Sequence, residues 1–371
     1  MRIFFAAGGT AGHINPGIAM AQLIEKEFPG TEFLFAVTPG GMESRLIPAA
    51  GYPTVTLEVM GLQRRLTRKN IRALRLLIQS YERTREIYGS WKPDLVIGTG
   101  GYLTYPAVRT AQKMKIPNLL HESNAVPGLT VKLLAKRANA VLGGFPTVGE
   151  HLSRKCHFRY TGTPLRREFG EVTRAAARRK HGIPDGCFLV TSVGGSLGAE
   201  RLNQEILNSV RYLYHGRNQI QWILSTGKRF YSEVKKQAEE IGLTEEQVRI
   251  LPYIDDMAGV FAALDLVISR AGASTVTELS SLGVASILVP YPAATGDHQT
   301  KNAAALAGLG GCVLLPEKNL GENRLRAEIA TLIDHPQMLN EMRRNAKALQ
   351  PKKRDQLIID EIKQCVSVLM P

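Results

Sequence analysis

The chain has 371 residues, 44% hydrophobic and 22% charged, the make-up of a globular protein long enough to bury two cores rather than one. Its 47 Lys+Arg against 33 Asp+Glu leave a net charge of +14, which calls for an anionic partner (nucleic acid, phosphorylated small molecule or acidic lipid) without choosing among them. No apolar stretch reaches the roughly 18–20 residues that cross a bilayer, and Cys156, Cys187, Cys312 and Cys365 are scattered with no CxxC pair or zinc-ligand histidine, so a reduced, cytosolic protein without disulfides or a structural metal is expected.

The first predicted strand, Ile3 to Ala6, is too short for the core of a signal peptide, so no export signal is expected. It breaks into Gly8-Gly9-Thr10-Ala11-Gly12-His13 and a helix around Pro16 to Glu27. From Gly61 to Tyr81 six basic residues (Arg64, Arg65, Arg68, Lys69, Arg72, Arg75) occur with no acid, while Ile71, Leu74, Leu77, Ile78 and Tyr81 recur at helical spacing. This is a basic amphipathic helix, which either rests on anionic lipid or turns its apolar stripe into its own core. Asp94 to Ile97 leads through Gly98-Thr99-Gly100-Gly101 into another helix. The β-rich pattern stops at Tyr160 to Pro164, where a basic helical stretch, Leu165 to His181, begins. Phe188 to Val193 then leads through Gly194-Gly195-Ser196-Leu197-Gly198 into a helix from about Ala199, and Asp265 to Ser269 leads through Arg270-Ala271-Gly272 into a helix ending near Leu282.

Strands alternating with helices predict α/β architecture with parallel sheets. The strongest glycine loops open each half, about 185 residues apart, which predicts two Rossmann-like domains facing a central cleft. The expected domains are 1–163 and 164–371, with a last helix at about 341–368 packing back on the first domain.

A glycine turn at a helix N-terminus presents N–H groups and the positive end of the helix dipole, a phosphate site that needs no side-chain charge. Neither loop is a Walker loop or a G-x-G-x-x-G fingerprint, and glycine also serves tight strand-to-helix turns for steric reasons. Ser274 to Glu278 sits at a predicted helix start, where hydroxyls can hold phosphate. Glu278 can accept from both ribose hydroxyls or serve as a capping-box carboxylate. Asp297 to Asn302 follows a strand ending at Pro290, again at the carboxyl end of the sheet.

The ordered set GGTAGH, HESNAVPG (His121 to Gly128), GTPLR (Gly162 to Arg166), GGSLGA (Gly194 to Ala199), YIDDM (Tyr253 to Met257), RAGASTVTE (Arg270 to Glu278) and DHQTKNA (Asp297 to Ala303) closely resembles the MurG-like glycosyltransferases of family 28, over nearly the whole chain. The departures are Thr163, where members often carry Asn, and Ala11, often glycine. The resemblance implies the GT-B fold and an inverting hexosyltransferase that moves N-acetylglucosamine from UDP-GlcNAc to the muramyl 4-hydroxyl of undecaprenyl-pyrophosphoryl-MurNAc-pentapeptide, lipid I to lipid II in peptidoglycan synthesis, with no cofactor and no metal. By motif, Ile254 contacts the uracil, Glu278 the ribose, and Ala273, Ser274, Thr275, Val276 and Thr277 with Ser196 the diphosphate. Arg166 adds a cation there, Gln299 binds the hexose, and Asn124 with Thr10, Ala11 and Gly12 reaches the sugar. Asp255-Asp256 falls in the nucleobase motif rather than in a metal site.

His13 is the candidate general base, with diphosphate binding and helix capping as its competing roles; Glu122 is the rival base. Gly100, Gly101, Tyr102 and His121 are acceptor-side candidates. A lipid-linked substrate gives the basic segment a job, docking on anionic inner-leaflet lipid, and places the protein peripherally on the cytoplasmic face of the bacterial plasma membrane. The rivals are another GT-B UDP-sugar transferase, a UDP-GlcNAc 2-epimerase and, from a different class, a basic nucleic-acid-binding protein. The last lacks an RNA-type stacking pattern, with only 6% aromatic residues, so no nucleic-acid partner is expected.

Overall fold

The computed structural model describes residues 1–61, 68–195, 198–214, 219–321 and 323–367. The chain divides into two compact units, Met1–Arg167 with the closing segment from Pro351, and Glu168–Gln350.

The first unit holds β1 (Arg2–Ala6), β2 (Glu32–Val37), β3 (Thr54–Thr56), β4 (Leu95–Gly98), β5 (Asn118–Glu122), β6 (Ala140–Gly143) and β7 (Phe158–Tyr160). All pair in parallel, in the order β3-β2-β1-β4-β5-β6-β7. The second unit repeats the plan with β8 (Phe188–Val193), β9 (Ile220–Ser225), β10 (Val248–Leu251), β11 (Leu266–Ser269), β12 (Ser286–Leu288) and β13 (Val313–Leu314), in the order β10-β9-β8-β11-β12-β13. In each sheet the order reverses beside the first strand, between β1 and β4 and between β8 and β11. Connections leave those neighbours toward opposite faces, which opens a crevice at their carboxyl ends.

Strands buried on both faces need apolar residues at every position rather than at alternate ones. β1 obeys this: Ile3 and Phe5 enter one core with Ile14, Ile18 and Ile24 of the helix Ala11–Glu27, while Phe4 and Ala6 enter the opposite core with Leu103, Ala107 and Val108. The helix Ala11–Glu27 begins five residues before the expected Pro16, because Thr10 is extended (φ −139°) and supplies the turn that starts it. Pro16 then lies inside the helix and removes the hydrogen bond that the Gly12 carbonyl would otherwise accept.

The expected closing helix of about 341–368 is two helices. Pro336–Lys347 belongs to the second unit and Arg354–Ser367 to the first, with Val368 outside the described residues. Pro351 separates them, since proline lacks an N–H and disfavours helical geometry in the residue before it. The division between units falls after Arg167 rather than after Thr163, so Arg166 stands at the end of the first unit. Helix Arg354–Ser367 buries Ile358, Ile359, Ile362, Cys365 and Val366 in the core that holds Ile14 and Phe5. Each fully buried Ile contributes about 1.5–3 kcal/mol.

The helix Arg68–Trp91 turns Ala73, Ser80, Thr84, Ile87 and Tyr88 inward. The stripe noted in sequence points elsewhere: Ile71, Leu74 and Ile78 are 68%, 55% and 52% exposed. Leu77 and Tyr81 are partly buried, and Tyr81 meets Tyr105 edge-on at 6.4 Å, so only part of the stripe serves this unit's own packing. Arg64 and Arg65, with the side chains of Arg68 and Lys69, lie outside the described residues.

Glu361, 1% exposed on the closing helix, accepts from Arg159 Nη1 at 2.7 Å and pairs with His157 Nε2 at 2.9 Å, tying that helix to β7. We predict that Glu361→Ala lowers the urea stability of the first unit by about 2 kcal/mol, as for lost hydrogen bonds to a charged group, and speeds proteolysis near Pro351. An unchanged midpoint and digestion rate would show that the packing of the isoleucines alone holds this helix.

Candidate active site

The crevice of the first unit is lined by the loops after β1 and β4. Gly9 takes a left-handed φ of +96°, and His13 is the third residue of the helix that follows. Its Nδ1 lies 3.2 Å from the Gly8 carbonyl and 3.4 Å from the Thr10 hydroxyl, and its own carbonyl accepts from the Thr99 hydroxyl at 2.7 Å. Burial lowers the pKa of this imidazole, opposed by the Gly8 carbonyl, so the ring is neutral near pH 7. Gly100 and Gly101 have φ of +104° and +80°. A Cβ on Gly100 would stand 2.6 Å from His13 Cδ2, and one on Gly101 would collide with the Gly8 carbonyl. These glycines therefore seat the His13 ring, while Tyr102 beside them is 59% exposed.

The other two sequence candidates from β5 are inward-facing. His121 is wholly buried, with Nε2 3.4 Å from the Gly162 carbonyl and Nδ1 3.3 Å from the Ser123 hydroxyl. Unlike Tyr102, it presents no surface to solvent. Glu122, 3% exposed, accepts from Asn124 N–H at 2.9 Å, Asn124 Nδ2 at 3.0 Å and Gly128 N–H at 2.8 Å. Through these bonds Glu122 anchors the Ser123 to Gly128 loop and carries Asn124 with it.

In the second unit the crevice is lined by the loops after β8 and β11. Gly195 and Gly198 are left-handed, and a side chain on Gly198 would strike the Thr226 carbonyl. Ser196 lies outside the described residues. Beyond β11 the helix Ala273–Leu282 starts at Gly272, with no side chain capping it. Its leading N–H groups and dipole therefore face the crevice, as at an anion site. Ser274 Oγ and Thr277 Oγ1 are buried without a hydrogen-bond partner among the described residues. Glu278 is the sixth helical residue, 8% exposed, too far along for a capping box, which would need a carboxylate at Thr275.

Gln299 Oε1 accepts from Ala271 N–H at 3.2 Å and Tyr291 N–H at 2.8 Å, which leaves its NH₂ end to donate to a ligand. Arg270, to which the sequence reading gave no role, pairs with Glu317 at 2.5 Å, donates to the Val289 and Pro290 carbonyls at 3.2 Å and lies over the Tyr291 ring. It locks the Gln299 loop to β11. Its position directly before AGAS was the available signal, while the distant Glu317 offered none. These groups border a pocket of about 800 Å³ together with Gly194, Gly195 and Arg229. Ile254, 3% exposed, follows β10. Asp256 caps the helix Met257–Ala263 through Gly259 N–H at 2.9 Å, and Lys180, 2.6 Å away, helps hold its carboxyl below the usual range.

The model of the glycosyltransferase family 28 N-terminal domain matches residues 3–143, and that of the family 28 C-terminal domain matches residues 189–361. A UDP-N-acetylglucosamine–N-acetylmuramyl-(pentapeptide) pyrophosphoryl-undecaprenol N-acetylglucosamine transferase of Acetivibrio thermocellus is 42% identical over 349 residues, 94% of each chain. The protein of the same name from Thermodesulfovibrio yellowstonii is 37% identical, over 92% of each chain. Among solved structures, MurG of Acinetobacter baumannii superposes with a TM-score of 0.76 at 28% identity, covering 98% of this chain and 99% of its own. A UDP-GlcNAc 2-epimerase of Neisseria meningitidis reaches 0.70 at 12% identity, covering 98% of this chain and 100% of its own, a likeness of fold alone. Both units have the parallel α/β build of the GT-B fold.

Burial pushes His121 down to about 4 from 6.5, so the fold favours its neutral form. That stabilisation is complete above pH 6.5 and is lost as pH falls toward about 4, where the folded ring protonates too. The full loss is about 3 kcal/mol. We predict that His121→Asn loses less stability than the parent protein between about pH 7 and pH 5 in denaturant titrations. Parallel decline of the two would assign acid lability to other groups.

Proposed function

The chain belongs to glycosyltransferase family 28, and we propose that it catalyses the reaction for which its relatives are named: transfer of N-acetylglucosamine from UDP-N-acetylglucosamine to N-acetylmuramyl-(pentapeptide) pyrophosphoryl-undecaprenol, in peptidoglycan synthesis. The observation that carries this reading is the uncapped N-terminus of the helix Ala273–Leu282 with the partnerless buried hydroxyls of Ser274 and Thr277 beside it. Such a terminus suits a diphosphate and, more strongly, the negative charge that grows on it as it leaves.

In this reading the second unit takes the donor: Ile254 meets the uracil, Glu278 the ribose hydroxyls, Ala273 to Thr277 the diphosphate, and the Gln299 amide the hexose. The first unit takes the acceptor. The muramyl 4-hydroxyl attacks the anomeric carbon, the bond from that carbon to the phosphate oxygen breaks, and UDP departs with its electron pair. The configuration inverts. The hydroxyl proton passes to His13 Nε2, which a neutral imidazole whose Nδ1 bonds the Gly8 carbonyl is set up to accept.

A lipid-linked acceptor also gives the exposed Ile71, Leu74 and Ile78 a use. Apolar side chains interspersed with Arg72 and Arg75 on one helix suit an interface of acyl chains and anionic headgroups. The protein would then work peripherally, on the cytoplasmic face where anionic lipid faces it. No helix of the described residues is long and apolar enough to cross a membrane.

The deciding assay incubates the protein with UDP-N-acetylglucosamine and a lipid I analogue; UDP release requires both, and acceptor-independent release or none would overturn the assignment. Glu278→Ala is expected to raise the donor KM roughly 10- to 100-fold, and His13→Ala to lower kcat roughly 10²- to 10⁴-fold. A His13→Ala enzyme with full kcat would remove His13 as the base. Charge reversal at Arg72 and Arg75 with Ile71→Ser and Ile78→Ser should abolish sedimentation with anionic vesicles while leaving turnover of a short-chain soluble acceptor intact. Undiminished vesicle binding would exclude this face.

A further inference from the structure

Glu43 opens the short helix Glu43–Ala49 beyond β2, yet it is only 1% exposed. A buried carboxylate must be met by donors. Its Oε1 accepts from Thr38 N–H at 3.2 Å and from the Thr38 hydroxyl, and its Oε2 accepts from Gly9 N–H at 3.1 Å. Burial alone would raise its pKa, but the Thr38 hydroxyl and the N–H groups of Glu43, Gly9 and Thr38 outweigh it and hold the carboxyl below the usual range. The group is therefore an anion at working pH. The seat is closely fitted, since a Cβ on Gly41 would collide with this carboxylate and one on Gly8 would come within 3.2 Å of it.

The Gly9 N–H and the Gly8 carbonyl are the two ends of one planar peptide group, and in the trans form they point in opposite directions. The anion of Glu43 holds one end, and His13 Nδ1 meets the other at 3.2 Å. We propose that Glu43 is a positioning residue for His13: acting through the Gly8–Gly9 peptide, its carboxylate fixes the imidazole with Nδ1 protonated and Nε2 open to receive a proton. A carbonyl oxygen only accepts, so this bond requires the Nδ1–H tautomer. The Thr10 hydroxyl, which can donate to the other tautomer, is farther away at 3.4 Å. An anion at the N–H end polarises the peptide and strengthens its carbonyl as an acceptor. The arrangement is a carboxylate–histidine pair with one peptide group inserted between the members. Its catalytic consequence rests on the reading of His13 as the base, whereas the tautomer does not.

The test is long-range ¹H–¹⁵N NMR of the histidine side chains in ¹⁵N-labelled protein, with His13 assigned from the signals missing in His13→Gln. The expected result is the Nδ1–H tautomer in the parent protein and a shift toward Nε2–H in Glu43→Gln, whose kcat falls roughly 10-fold while KM for the acceptor stays within about twofold. Thr38→Val removes one donor to the carboxylate but keeps the Gly9 bond, and should retain the Nδ1–H form. An Nε2–H tautomer in the parent protein overturns the proposal even if Glu43→Gln does not fold. So does an unchanged tautomer in Glu43→Gln, or an equal shift in Thr38→Val, which would make loop packing the cause. Full turnover by His13→Ala would strike only the base assignment, and the spectra would still decide the chain from Glu43 to His13.

Discussion

Everything at the candidate site follows from strand order. In a parallel sheet running 3-2-1-4-5-6, the first and fourth strands lie side by side and send their connections to opposite faces. The pairings Ala6 with Gly98 and Val193 with Ser269 bring those strand ends level, so two loops diverge from each point. A strand that must become a helix within a few residues needs left-handed turns, and glycine supplies them at Gly9, Gly100 and Gly101 in one unit and at Gly195 and Gly198 in the other. At Gly100, Gly101 and Gly198 the missing side chain admits protein atoms (the His13 ring, the Gly8 carbonyl and the Thr226 carbonyl), whereas a Cβ at Gly9 or Gly195 would meet none of the described residues.

The two units put this common geometry to opposite electrostatic use. In the second, no side chain caps the helix after β11, and the Ser274 and Thr277 hydroxyls are buried without partners among the described residues, an environment that suits an anion. In the first, an anion is already built in: the carboxylate of Glu43 takes the Gly9 N–H, so that loop is no phosphate cradle at this position. Its product is an oriented histidine whose burial favours the neutral form. A diphosphate leaving group needs positive dipoles, whereas a hydroxyl nucleophile needs an acceptor for its proton, and the two loops supply one each.

The sequence carried the strands and their loops well, because a doubly buried strand reads as an unbroken apolar run and a tight turn reads as glycine; β1, β4, β8 and β11 all lie within a residue or two of expectation. Helix ends were less legible. Pro16 looked like a first-turn proline but sits inside its helix, and Pro351 divides what read as one closing segment. Side-chain duty was the least legible of all. HESN read as an acceptor-side candidate and a rival base; β5 is buried on both faces, and both His121 and Glu122 meet partners within the protein. Glu43 drew no notice because the residues it serves, Thr38 and Gly9, join it only when β1 and β2 pair.

The path of the chain also constrains how the first unit can exist. Residues 1–167 supply its sheet, but the face of that sheet carrying Ile3, Phe5 and the helix Ala11–Glu27 is completed by isoleucines some 200 residues farther on. Removing the segment from Pro351 would uncover Ile14, Ile18 and their neighbours on the helix that presents His13, and would leave Arg159 of β7 without the Glu361 carboxylate. The helix that carries His13 is thus held on one side by the turn at Gly8 and Gly9 and on the other by the helix Arg354–Ser367. The first unit is complete only once the second has been traversed, so the hydrophobic seal beneath His13 is non-local in sequence and forms only after the second unit has emerged from a growing chain.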